Sequence, residues 1–110
     1  MSIENIKVLV VEDDTVMSSY VVKTLTRLNV KDVELCVDGD SAMKVIGTFM
    51  PDVILTDVHM YPVNGIEFAQ KLRAHANSKL RSTPIIFMSA DSSRETLGNT
   101  MAVDSVAYIV

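Results

Sequence analysis

Three stretches hold the residues of this sequence that could do chemistry together: Glu12-Asp13-Asp14, then Asp57, then Ser89. Carboxylates held close together repel one another, so burying a cluster of them is costly unless protons or a hard cation neutralise it. Mg²⁺ suits such a cluster, because it takes oxygen ligands octahedrally and commonly combines one or two carboxylates with waters and a phosphate oxygen. Asp13 and Asp57 would supply the carboxylates. With a phosphoryl group polarised beside it, Asp57 could attack in line and become an aspartyl phosphate, and Ser89 would hydrogen-bond the new phosphate.

Each stretch also has an ordinary reading. An acidic pair at a helix start often only satisfies backbone donors and the helix dipole. An Asp, or a Ser-Ala pair, after a strand is common as plain turn or loop. The chemical reading gains weight because the three signals fall at the ends of three different strands, in the order one fold requires.

Those strands and the helices between them are legible from periodicity. Residues 6–11 form a short β-branched run that ends in the acidic loop, as a buried strand does. From Thr15, read as the N-cap, the apolar residues Val16, Tyr20, Val21, Leu25 and Leu28 recur at helical spacing, and Lys23 and Arg27 lie near the end where the dipole favours cations. Residues 33–37 predict a second strand, and Asp38-Gly39-Asp40-Ser41 starts a second helix through Ala42, Met43, Val45 and Ile46. Pro51-Asp52 precedes a third strand, 53–56, which delivers Asp57 at its carboxyl end. Asn64-Gly65 opens a third helix carrying Ile66, Phe68, Ala69 and Leu72, and Pro84 introduces a fourth strand, 85–88, with Ser89 at its end. Ser92 or Ser93 caps a weaker fourth helix running to about Ala102, and 107–110 reads as a fifth strand.

Strands alternating with helices imply βαβ units, and right-handed crossovers place helices on both faces of a parallel sheet. The expected fold is doubly wound α/β, with its functional crevice outside the carboxyl ends of the strands. Asp13, Asp57 and Ser89 should converge there.

Bulk properties narrow the function classes. The chain has 110 residues, 48% of them hydrophobic and 22% charged, which is ordinary globular usage and the size of one domain. A net charge of −4 argues against a broad nucleic-acid surface, which needs clustered Lys and Arg. No apolar run is long enough to cross a bilayer, and no leader pattern opens the chain, so the expected location is cytoplasmic. The single cysteine, Cys36, reads as a small buried thiol, and the methionines, Met43, Met50 and Met60 among them, read as fillers of core gaps. None of the four glycines, Gly39, Gly47, Gly65 and Gly98, builds a dinucleotide-binding turn after the first strand.

From about residue 6 to the end, the chain closely resembles the receiver domains of two-component response regulators. The run 8–14 looks like the family's first strand and acidic pair, with Glu12 and Asp13 on the metal-site positions. The run 52–60 is similar to the stretch carrying the phosphoacceptor, Asp57, and Gly65 stands at the family's spacing after it. The run 84–90 resembles the strand that ends in the Ser/Thr-Ala switch motif, and Tyr108 falls where the family often has that switch's aromatic partner.

The resemblance implies a five-stranded, flavodoxin-like sheet of order 2-1-3-4-5. It implies Mg²⁺ held by Asp13 and Asp57, by Glu12 through water and by the backbone carbonyl of His59. It also implies that Ser89 and Tyr108 reorient together on phosphorylation. A histidine kinase would be the phosphoryl source, and an output domain or downstream protein would read the result. The domain would be a switch more than an enzyme. Two departures stand out: Tyr61-Pro62 places proline one residue later than usual, and the sequence ends at Val110, before the family's phosphate-pairing Lys and its last helix.

The expectation that follows is a single receiver domain over residues 1–110, truncated at its C-terminus, with its fifth helix missing and the sheet face beside the first helix exposed. A homodimer could cover that face. The alternative functional readings are a degenerate receiver that binds partners without phosphate and a haloacid-dehalogenase-type phosphotransferase. The second needs an Asp two residues after the nucleophile, where this chain has His59.

Overall fold

The computed structural model describes residues 5–89 and 93–109. Ser92 and Val110, named in the sequence reading, and Ala90, the last residue of the run 84–90, lie outside them. Five parallel strands, β1 (Lys7–Val11), β2 (Asp32–Cys36), β3 (Val53–Asp57), β4 (Ile85–Met88) and β5 (Ala107–Ile109), form one sheet in the order β2-β1-β3-β4-β5. The helices are α1 (Thr15–Arg27), α2 (Gly39–Phe49), α3 (Gly65–Arg73), α4 (Ser78–Arg81) and α5 (Arg94–Met101).

This order makes the two sheet faces unequal. The step from β1 to β2 runs one way across the sheet, and every later step runs the other way. Right-handed crossovers therefore put α1 on one face and the helices of the remaining connections on the opposite one. Strand burial agrees. Leu9, Val11, Ile54, Ile85 and Phe87 are fully buried in a large core with Ala42 and Ile46 of α2 and Phe68, Ala69 and Leu72 of α3. Their alternates along the strands, Val8 and Val10 with the half-buried Val53, Leu55 and Met88, form a smaller cluster under Val21 and Leu25 of α1.

Capping chemistry sets where the helices start. The Asp38 side chain accepts from Ser41 N at 2.7 Å, and the Ser41 hydroxyl is returned the Asp38 N–H, closing a capping box on α2. Asn64 and Glu67 form the same reciprocal pair at α3. Ser93, one of the two residues expected to cap the helix after β4, caps α5.

Three sequence expectations need correction. Asp14, not Thr15, caps α1, accepting from Val16 N at 2.8 Å and Met17 N at 3.1 Å; Thr15 is the first helical residue. The apolar stripe of α1 does not all face the core either: Val16, Tyr20 and Leu28 are 79%, 67% and 53% exposed, and Ser18 and Val21 are the buried residues. The helix count also rises to five among the described residues, because Asn77 caps the short α4, which periodicity cannot reveal in a single turn. None of these helices follows β5.

Candidate functional site

The acidic residues meet where the topology requires. Glu12 and Asp13 follow β1, Asp57 ends β3, and these strands are neighbours with Val11 beside Thr56. One carboxylate oxygen from each of Glu12, Asp13 and Asp57 lies within 4.8 Å of the others. Glu12 is buried, Asp57 half-buried and Asp13 exposed, so the cluster opens to solvent on the Asp13 side.

Local structure fixes each member differently. The Glu12 backbone donates to Cys36 O at 2.9 Å, holding the end of β1 to β2. Its side chain accepts from Asp14 N at 3.2 Å, so the residue that caps α1 also braces the cluster. The Asp57 carboxylate accepts from Val58 N at 2.7 Å. The buried Thr56 hydroxyl donates to Asp57 O at 2.9 Å.

Gly65 stands against that same carbonyl. A Cβ added there would lie 1.9 Å from Asp57 O and 3.1 Å from the Thr56 hydroxyl oxygen, so no residue with a side chain fits without moving the chain at Asp57. Gly65 N donates to Val58 O at 2.9 Å, which returns the loop to the end of β3. The loop between contains a cis peptide bond at Tyr61-Pro62, the place where the proline position departs from the family pattern.

Electrostatics follow from the crowding. Burial pushes the Glu12 carboxyl up to about 7; the hydrogen bond from the Asp14 backbone works against the rise, and the charge of Asp57 adds to it. Cys36, next to the cluster through its backbone carbonyl, is buried, and burial pushes its thiol up as well. It reads as core, like the buried Met60 and the partly buried Met43 and Met50.

The other expected residues stand nearby with different relations to the cluster. Ser89 follows β4, donates its N–H to Ile109 O at 3.0 Å, and lines the same cavity as Glu12, Asp14 and Asp57. Tyr108 pairs in register with Phe87, two residues before Ser89, and packs against the large core. His59 is exposed in the loop after Asp57, and its imidazole is not part of the clustered set.

Sequence reading had passed over Thr56 and Arg73. A hydroxyl inside an otherwise apolar strand was the available signal for Thr56. Nothing local marked Arg73, whose guanidinium donates to the carbonyls of Val103 at 2.8 Å, Thr83 at 2.7 Å, Arg81 at 3.0 Å and Asp104 at 3.1 Å, tying the end of α3 to the segments flanking β4 and β5.

Comparison with known proteins places this geometry in company. The family profile described as the response regulator receiver domain matches residues 8–110. A probable chemotaxis protein CheY of Rhizobium etli is 32% identical over 88 residues, covering 80% of this chain and 68% of that protein. A protein-glutamate methylesterase/protein-glutamine glutaminase of Nitrosospira multiformis is 31% identical over 107 residues, yet this chain spans 29% of its length. The solved structure of chemotaxis response regulator CheY4 of Vibrio cholerae superimposes with a TM-score of 0.84 at 30% identity, over 96% of this chain and 85% of that one.

Proposed function

The chain belongs to the response regulator receiver domain family, and from that membership we propose that it is a phosphorylation-controlled switch whose phosphate-accepting residue is Asp57. The observation that carries the reading is the meeting of the Glu12, Asp13 and Asp57 carboxylates at the carboxyl ends of adjacent parallel strands. The donor set fits Mg²⁺: it is all oxygen, and burial, with the charge of Asp57 adding to it, raises Glu12, so a hard cation would relieve the cluster. Asp13 and Asp57 would bind such an ion directly, Glu12 through water, and His59 through its backbone carbonyl. When bound, it would offset negative charge on an incoming phosphoryl group.

The remaining work falls to the chain's own residues. The Asp57 carboxylate, aimed by the Val58 N–H, attacks the phosphorus of a phosphohistidine; an oxygen–phosphorus bond forms, the phosphorus–nitrogen bond breaks, and the donor imidazole leaves with a proton from solvent. The Ser89 hydroxyl hydrogen-bonds the new phosphate, and Tyr108 repacks with it. Gly65 keeps Asp57 at the end of β3 throughout.

Residues 1–110 act in this reading as one receiver unit, placed in the cytoplasm, that takes its phosphoryl group from a histidine kinase. An output domain or downstream protein senses the change, for which coupling of about 1–3 kcal/mol is enough. Among the described residues no helix is long and apolar enough to cross a membrane.

Intact-mass spectrometry after incubation with a small phosphodonor and Mg²⁺ tests the proposal. The expected result is one phosphoryl adduct, absent in Asp57→Asn and absent with EDTA. No adduct on the unaltered chain would favour the reading as a phosphate-independent interaction module.

A further inference from the structure

The loop that follows Asp57 is closed on itself by the bond from Gly65 N to Val58 O, and a second tie reaches it from outside β3 and α3 altogether. Gly39 N, at the start of α2, donates to Val63 O at 2.9 Å. That N–H is one of the donors a helix leaves unpaired in its first turn, and the Asp38 side chain serves Ser41 N instead. Within the loop, Val58 and Met60 are buried on either side of the exposed His59, and Val63 packs against the large core. The course of the backbone at His59 is thus set by seats at Val58, Met60 and Val63.

Gly39 is buried and fits its place by having no side chain. A Cβ there would lie 2.7 Å from Val63 Cγ1, 2.9 Å from Phe68 Cβ and 2.9 Å from Val63 O. Phe68 Cβ and Val63 O cannot swing aside as the end of a flexible side chain could, so the loop or α2 would have to move. Backbone conformation makes no such demand: Gly39 does not have a positive φ, and in a helix alanine is the better former. Gly47, in the same helix, gives the contrast, since a Cβ there meets nothing within 4 Å. The turn from β2 to α2 also touches the acidic cluster at a second place, because Cys36 O accepts from Glu12 N at 2.9 Å. One turn therefore holds both the backbone of Glu12 and the loop after Asp57.

We propose that Gly39 is a positioning residue for phosphoryl uptake. By seating α2 against Val63 it fixes the loop from Val58 to Val63, and with it the His59 carbonyl that would serve a bound Mg²⁺. The proposal rests on the reading of the acidic cluster as a Mg²⁺ site with Asp57 as phosphoacceptor. Gly39 touches neither the ion nor the phosphoryl group and acts through the loop.

Two-dimensional amide NMR on the full chain tests it, first without metal and then through a Mg²⁺ titration. Gly47→Ala and Ile85→Val, a core truncation at the amino end of β4, serve as references. In Gly39→Ala the amides from Val58 to Gly65 should shift in the metal-free chain. Mg²⁺ affinity should fall about tenfold, the lower end of what residues supporting metal ligands contribute. The yield of phosphoryl adduct should drop at subsaturating Mg²⁺ and recover at saturating Mg²⁺, a pattern that lost stability alone does not produce. Gly47→Ala and Ile85→Val should keep the parent affinity. If Gly39→Ala does not fold, Val63→Ala loosens the same seat from the loop side and carries the same expectations. Unshifted loop amides or an unchanged Mg²⁺ affinity overturn the proposal, and so does an equal loss of affinity in Ile85→Val. A parent chain whose Asp13 and Asp57 amides do not respond to Mg²⁺ overturns the underlying Mg²⁺ reading, and the proposal with it.

Discussion

The two faces of the sheet are made from the same strands, residue by residue, and yet differ in kind. Phe87 and Met88 are neighbours in β4, but Phe87 lies fully buried under the large core and Met88 only half-buried beneath α1. Hydrophobicity does not separate them; coverage does. Each strand presents apolar residues to both sides, as strands in a doubly covered parallel sheet do, and among the described residues the crossovers supply α1 alone to one side. The difference teaches that strand composition sets what a face could bury, whereas topology sets what it does bury.

Truncation of one residue on each face is the strongest way to test that comparison. Phe87→Ala should cost about 3–5 kcal/mol of stability, as expected for a large side chain in a packed core, and Met88→Ala about 1 kcal/mol, because much of its surface already meets solvent. Urea unfolding monitored by circular dichroism gives both values. Equal losses would mean that the α1 face is as well packed as the other.

A smaller effect is expected from pH, at the rim where the two faces meet. Glu12 has its carboxyl raised from 4.5 to about 7 by burial, so the folded state holds a proton that the unfolded chain releases. For an acid shifted upward, stability is fullest below the ordinary value and falls as pH rises through about 7. The urea midpoint of the metal-free chain should therefore decline between about pH 4.5 and 7, and the decline should flatten in Glu12→Gln. An unchanged slope in the variant would remove Glu12 as the cause.

The smallest effect compares two caps. Asp38→Ala removes the capping box of α2, which is bound into the large core, and should cost about 1 kcal/mol globally. Asp14→Ala removes an equivalent cap from α1, which is held mainly through Val21 and Leu25. Its loss should appear chiefly as faster amide exchange in the first turn of α1. Comparable global losses from both would show α1 to be as firmly docked as α2.

What could be read without a structure was whatever local periodicity and turn chemistry encode. Short apolar runs at 6–11, 53–56 and 85–88 identify strands, Asn64-Gly65 identifies a helix start, and the placement of Asp13 and Asp57 after the first and third strands identifies a shared crevice. Thr15 was read as a cap because Asp and Thr are both good caps, and only the backbone turn decides which is used. The four residues of α4 carry no period at all.

The sequence by itself determined the element types, the doubly wound class and the identity of the acidic residues, because each follows from side-chain chemistry within a few neighbouring positions. Tertiary structure alone decided that Glu12 would be the carboxylate buried, that Gly65 would be pressed against Asp57 O, that Arg73 would gather four distant carbonyls, and that Val16 and Tyr20 would face away from the core. Those outcomes depend on which segments, far apart in the chain, come to lie against each other.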